Sequence, residues 1–480
     1  MHAGNKLKLG LFGANCSSGR AVTKVPERWS GAWPDNLRLA RMADEAGIDF
    51  LLPIGRWKGY GGETDYQGAT LETITWATAL LAATRRITCF GTVHAPLFHP
   101  LIAAKQMVTA DHIGEGRFGL NIVVGWNEDE FEMFGVEQRD HAARYDYAQE
   151  WIDAIKLIWS EREDFDFPGR YLELKRVRAK PKPYGDSRPI IMNAGASPTG
   201  QTFAVKNCDA FFMQASRVSV ADTAERVAKV KQLAQQHGRE ISVYTVGVIT
   251  CRPTMREAED YHRHCVVDQA DWSAVDRLLA MRKITPQTVS AEEFATQRSQ
   301  FAHGNSGLPI IGDPDHVARQ LIDLSSAGLT GICGVAGQLR RRIALPARRG
   351  AAAARAGGVA RNAIASVFIG ACAPRQGVAW RKLVQTCNST ISGLRCRPET
   401  LTRAMVTGSL KRRGPALPGL SNKTPLCVSI EGRWECPNTT AAMPEATGSA
   451  SSCEMSCRTK KRCSPTSTSS RMGSAAAQSP

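Results

Sequence analysis

Between residues 117 and 145 a β-forming run gives way, within a few positions, to side chains able to hold a polar ligand. Asn121 interrupts the apolar run 118–124, and a buried amide there must find hydrogen-bond partners, either on a ligand or on a neighbouring strand. Glu130 follows in an acidic stretch, where it can contact a ligand or stand as a solvated carboxylate. Arg144 and Tyr145 open a helical pattern, and the arginine offers a planar fork of donors suited to a carbonyl or a phosphate. Its competing use is a surface salt bridge to Asp140 or Asp146. His94 ends an earlier run, Gly91-Thr-Val-His94, and its pKa near neutrality suits general acid/base work as well as a structural role. Gly55-Arg56 follow another apolar run and set a residue that permits close backbone approach beside a permanent cation. Ala194-Gly-Ala-Ser197-Pro198 reads as a helix start with Ser as N-cap and Pro at N1, and its amides and dipole also favour an anion. Cys89, inside the run that ends at His94, reads as a small buried apolar residue.

These side chains fall at the ends of regularly recurring elements. Strands are expected at 7–13, 50–55, 87–93, 118–125, 189–195, 210–215, 242–250 and 330–335. Helices are expected at 36–47, 73–84, 100–114, 144–160, 221–236 and 314–327, the fourth with Tyr147, Trp151, Ile155 and Ile158 at near-helical spacing. Alternation of this kind belongs to βα units on a parallel sheet. Eight strands without an antiparallel hairpin signal favour closure into a (β/α)8 barrel, whose chemistry gathers at the C-terminal ends of the strands. Residues 252–312 are too long for a simple connection and read as an insertion of short helices near the barrel mouth.

In order along the chain, Gly59-Tyr-Gly-Gly-Glu-Thr-Asp-Tyr66, Asn121-Ile-Val-Val-Gly-Trp126, Glu130, Arg144-Tyr145 and Asn193-Ala-Gly-Ala-Ser197 resemble the signatures of the bacterial-luciferase-like flavin-dependent monooxygenases. The likeness covers about 7–335 and is strongest to the group of pyrimidine, dimethylsulfone and alkanesulfonate monooxygenases. It implies a luciferase-like TIM barrel and a two-component reaction, in which FMN as FMNH2 and O2 oxidise a small heteroatom-containing molecule. NAD(P)H would enter indirectly, through a separate flavin reductase. Gly55, Arg56, Asn121, Glu130, Arg144, Tyr145 and Ser197 are then the expected cofactor contacts, Ser197 at the phosphate, with His94 and Arg56 as the expected catalytic side chains. Gly55-Arg56 depart from the Ile-Lys pair of the pyrimidine enzymes, which bears on the substrate more than on the cofactor. A deazaflavin (F420)-dependent hydride transfer on the same barrel is the alternative. Relatives also imply a homo-oligomer, dimer or tetramer.

The net charge of +16 is unevenly placed. Residues 336–480 hold 23 Lys and Arg against five Glu and no Asp, a net +18, which leaves −2 for the rest. The first 335 residues therefore read as a nearly neutral globular enzyme, and nothing in them asks for nucleic acid. Six scattered cysteines there suit a reduced, cytoplasmic protein, no metal-ligand spacing is present, and no apolar run approaches a membrane span. The stretch from 336 has no Tyr, one Phe and eight cysteines. Its composition cannot bury enough apolar surface to offset ordering. It reads as a disordered extension, a basic arm for nucleic acid or anionic surfaces, or out-of-frame translation of a GC-rich gene. The last would leave an inactive product without the family's final helix.

Overall fold

The structure, a computed structural model, describes residues 6–19, 21–304 and 307–335, so the expectations for 336–480 lie outside the described residues. In chain order the elements are β1 (Lys8–Phe12), α1 (Trp33–Ala46), β2 (Phe50–Leu52), α2 (Thr73–Ala83), β3 (Thr88–His94), α3 (Pro100–Ile113), β4 (Phe118–Val123), α4 (Glu128–Met133) and α5 (His141–Ser160). There follow β5 (Phe165–Pro168), β6 (Glu173–Val177), β7 (Ile190–Asn193), α6 (Pro198–Asn207), β8 (Ala210–Phe212), α7 (Val220–Gln236) and β9 (Ser242–Cys251). The described chain ends with α8 (Met255–Arg263), α9 (Trp272–Met281), α10 (Ala291–Ala302), β10 (Leu308–Gly312), α11 (Pro314–Ser326) and β11 (Gly331–Val335).

Strands β1, β2, β3, β4, β7, β8, β9 and β11 run parallel and close on themselves, with Lys8 in register with Gly331 at the seam. This is the expected eight-stranded barrel. Two departures stand out. β5 and β6 form an antiparallel hairpin off the barrel, contrary to the reading that no such hairpin exists. Its signal, alternation of Phe165 and Phe167 with acidic residues, spans only four positions and carries little weight beside eight longer runs. The 252–312 insertion contains the expected short helices but ends in β10, which pairs in parallel with the far half of β9.

Side chains fill the barrel: Phe50, Phe90 and Tyr244 meet edge to face, at centroid separations of 5.9 and 5.7 Å, among Leu52, Met192, Phe212 and Cys333. The rings fit because the strand positions facing them are glycine. A Cβ on Gly10 would stand 2.3 Å from the Phe50 ring, and one on Gly119 would stand 2.5 Å from Phe90. The outer faces of the strands, such as Leu11, Leu51 and Ile122, bury against the helices, α5 contributing Trp151, Ile152, Ile155 and Ile158. The Trp151 indole N–H donates to the Phe98 carbonyl at 2.7 Å, which satisfies the one polar atom it carries inside. No helix among the described residues is long and apolar enough to cross a membrane.

Candidate functional site

The C-terminal ends of β2, β3 and β4 bring the first group of expected residues together. Past the end of β2, Arg56 reaches across to Glu130 on the short helix α4, Nη1 to Oε1 at 2.9 Å, with both side chains buried. The same oxygen accepts from the backbone N–H of Trp57 at 2.8 Å and of Lys58 at 3.4 Å. Glu130 is thus a buried partner rather than a solvated carboxylate. The guanidinium of Arg56 also lies over the Tyr60 ring at 4.7 Å and the Trp126 ring at 5.7 Å, so aromatic faces supply part of its environment.

His94 lies beside this pair, its Nε2 3.9 Å from Glu130 Oε2. Burial lowers its pKa to about 4; Glu130 opposes the shift and Arg56 adds to it. The imidazole is therefore neutral near pH 7. Gly55 is where close approach is needed, since a Cβ there would stand 2.7 Å from His94 Cε1 and 3.0 Å from Thr92 Cγ2. Cys89, deeper in β3, is fully buried and burial raises its thiol to about 12, which leaves it a small apolar residue.

Asn121 finds its partner on the neighbouring strand. Its Nδ2 donates to Thr92 Oγ1 at 3.1 Å, and that hydroxyl donates to the Pro53 carbonyl at 2.7 Å. The amide is oriented by this chain of bonds, and Asn121 Oδ1 remains buried without a partner. Thr92 escaped the sequence reading although it stands two residues before His94. Asn127 escaped it too: 2% exposed, at the start of α4, it has no partner on either side-chain polar atom.

The second group gathers at α5 and α6. Tyr145 is buried and hydrogen-bonds with Ser197, the N-cap of α6, which accepts from the Gly200 N–H at 3.1 Å. Burial raises the Tyr145 phenol above its usual range, and the Ser197 bond and Arg144 counter the shift. Asn193 shapes the turn ahead of Ser197: its Nδ2 donates to the Ile122 carbonyl and its Oδ1 accepts from the Gly195 N–H. Arg144 joins the two groups by donating to the Gly125 carbonyl at 2.7 Å, while its Nε stays buried and unpartnered. The structure thus assembles every expected site residue at one end of the barrel.

The insertion is pinned over this end through Asp271. Its carboxylate accepts from Thr64 N and Oγ1, both at 2.8 Å, from Ser273 Oγ at 2.7 Å and from Ala274 N at 3.2 Å. Burial works to raise its pKa, and the bonds from Ser273 and Thr64 outweigh burial and lower it. Tyr60 and Tyr66 of the same loop pack against Val275, Leu278 and Leu279 of α9. Asp271→Ala strands those donors and removes the α9 cap, so it should destabilise the fold by about 2–3 kcal/mol. Urea midpoints check this, and limited proteolysis should become faster within 252–304.

A family model described as luciferase-like monooxygenase matches residues 7–331, about two thirds of the chain and the whole barrel apart from its last few residues. The chain belongs to that family. This luciferase-like monooxygenase is similar to an FMNH2-dependent dimethylsulfone monooxygenase of Pseudomonas fluorescens (strain Pf0-1), 29% identical over 329 residues that cover 67% of this chain and 87% of the relative. It is 27% identical to a pyrimidine monooxygenase of Acinetobacter baylyi over 273 residues, 55% of this chain and 73% of that one. Among solved structures, DmoA from Hyphomicrobium sulfonivorans shares the fold with a TM-score of 0.61 at 17% identity, covering 69% of this chain and 84% of that chain.

A reduced flavin mononucleotide asks for donors and acceptors at its ring edge and for cationic or amide donors at its phosphate. The unpartnered atoms of this luciferase-like monooxygenase meet that demand: Asn121 Oδ1, His94 Nδ1 and Asn127 in the first group, and Arg144 Nε in the second. Ser197 at the α6 N-terminus adds an anion-favouring helix end. Buried polar atoms left without partners are uncommon in folded proteins, and a polar ligand accounts for a cluster of them.

Proposed function

We propose that the protein is a two-component monooxygenase that uses FMNH2 and O2 to oxygenate a small heteroatom-containing molecule of the pyrimidine, sulfone or sulfonate type. A separate NAD(P)H-dependent reductase supplies the reduced flavin, and the chain works as a homo-oligomer, a dimer or a tetramer. The observation that carries this reading is the row of unpartnered buried polar atoms along the ends of β3 and β4, with the Arg56–Glu130 pair beside it. Names of the sequence relatives support the cofactor and the reaction class.

When bound, reduced flavin would supply the electrons that activate O2. The chain's own residues bind, orient and keep the site dry. Asn121, held by Thr92, would offer its unpartnered carbonyl oxygen to the polar edge of the bound ring, and Gly55 leaves room for the His94 imidazole beside it. Arg144, Tyr145 and Ser197 would hold the phosphate end. Glu130 fixes the Arg56 guanidinium, whose buried Nε has no partner in the protein and would donate to a substrate oxygen or nitrogen. His94, neutral beside them, gives or takes a hydrogen bond without bringing a second charge. Trp57, edge to face with Phe134 at a centroid separation of 5.0 Å, and Trp126 wall the mouth and limit water.

Anaerobic titration with reduced FMN and, separately, with a reduced deazaflavin tests the reading. Saturable binding of reduced FMN at micromolar Kd, followed on rapid mixing with O2 by reoxidation slower than that of free flavin, is the expected result. Preference for the deazaflavin, with no effect on FMN reoxidation, would replace monooxygenation by hydride transfer.

A further inference from the structure

A second polar cluster sits on the same rim, and nothing proposed so far uses it. Arg217 follows β8 by five residues and donates from Nη2 to the Gly307 carbonyl at 2.7 Å. His262, on α8, has Nδ1 3.4 Å from Thr250 Oγ1 near the end of β9. His303 caps the C-terminus of α10, and its ring meets that of His262 edge to face with centroids 4.7 Å apart. His262 Nε2 and His303 Nδ1 are buried and have no hydrogen-bond partner.

The charge around these groups is one-sided. Burial lowers His262 to about 4, and burial, His262 and Arg217 together lower His303 to about 4. Burial alone lowers Arg217. No carboxylate enters any of the three, and Arg217 makes no ion pair among the described residues. A half-buried guanidinium without a counter-ion and two unpartnered imidazole nitrogens each cost stability. A divalent metal does not resolve this. Among the described residues no third His, Cys, Asp or Glu joins the pair, and the guanidinium would repel a cation. An anion resolves it. Bound between the groups, it would take the Arg217 fork and draw protons onto both imidazoles, turning orphan atoms into charge-assisted donors.

We propose that Arg217, His262 and His303 form a binding site for an oxyanion group, a carboxylate or sulfonate carried by the substrate. The site stands on the cluster itself; its assignment to the substrate rests on the monooxygenase reading above. It shares no residue with Ser197 and Arg144, which serve the flavin phosphate in that reading.

The test uses the full chain with nitrogen-15-labelled histidine at pH 7, with His262→Gln and His303→Gln serving to assign the two imidazole signals. Methanesulfonate and inorganic sulfate are added separately. Both imidazoles should move to the imidazolium form on saturation, with the apparent Kd raised at least tenfold in Arg217→Gln and much less in Arg217→Lys. Tighter binding of methanesulfonate than of sulfate supports the substrate's own group; equal binding overturns that assignment in favour of a free inorganic anion. No change in either signal at concentrations that saturate a Kd of about 10 mM overturns the site. So does an undiminished response in Arg217→Gln. Reduced-FMN binding, followed in the same samples, separates the two readings. Competition between sulfate and the flavin would return the cluster to the flavin phosphate. Loss of flavin binding with the imidazole response intact would sink the monooxygenase reading alone.

Discussion

Glu130→Gln should lower kcat/KM by about 100-fold or more, because the Arg56 guanidinium loses the charge that orients it. In the native site one carboxylate oxygen holds Arg56 at 2.9 Å and the Trp57 N–H at 2.8 Å, and the other faces His94 at 3.9 Å. Glutamine keeps one acceptor oxygen for the backbone, so the turn after β2 survives. It cannot balance a buried cation, and Arg56 would turn toward the rings of Tyr60 and Trp126 that already cover it. Glu130→Ala is the harsher variant. Breaking a buried ion pair from one side costs about 3–5 kcal/mol, since the remaining charge is left uncompensated. The pair of variants separates folding from function. Glu130→Gln should retain reduced-FMN binding and a cooperative urea transition while turnover falls; Glu130→Ala should lose midpoint as well. Turnover per folded molecule unchanged in Glu130→Gln would show that the pair only supports the loop and would remove Arg56 from the proposed chemistry.

Such a pair shows where sequence reasoning reaches its limit. Arg56 and Glu130 lie 74 positions apart, and each is legible as a candidate from its place after a strand. That they meet is a consequence of barrel closure, which brings the ends of β2 and β4 to either side of β3. The strands themselves were readable because parallel strands buried on both faces are continuous apolar runs. The 141–160 helix was readable because its buried residues recur at helical spacing. Where the signal is short, the reading failed: the 165–177 hairpin has two four- to five-residue strands, and β10 hides at the end of a long insertion. Thr92 was overlooked because a threonine in a strand looks like an ordinary β-former. Its role comes from an asparagine 29 residues away and a proline carbonyl 39 residues away. The Arg217, His262 and His303 cluster was dimmer still. Nothing in the sequence around His262 points to His303, its ring neighbour 41 positions further on.

Those same histidines set the expected response to acid. His94, His262 and His303 all have folded-state values lowered to about 4, against an ordinary value of 6.5 in the unfolded chain. Between those two values the unfolded chain takes up protons that the folded one refuses, so stability falls as pH drops through this window and the decline ends below about 4. Each such group contributes a slope of up to about 1.4 kcal/mol per pH unit. His262 and His303 are only partly buried, and solvent screening trims their share. Unfolding by urea at pH 7.5, 6, 5 and 4.5 should therefore show a midpoint that holds above pH 7 and drops steeply below 6. Replacing both His262 and His303 by Gln should flatten much of that drop, and His94→Gln should remove most of what remains. A midpoint constant from pH 7 to 5 would mean that the three imidazoles are open enough to titrate freely. The functional corollary follows from the same sign: His94 stays largely neutral in the folded protein down to about pH 5. Loss of kcat/KM on the acid side should then track unfolding rather than a titration of His94.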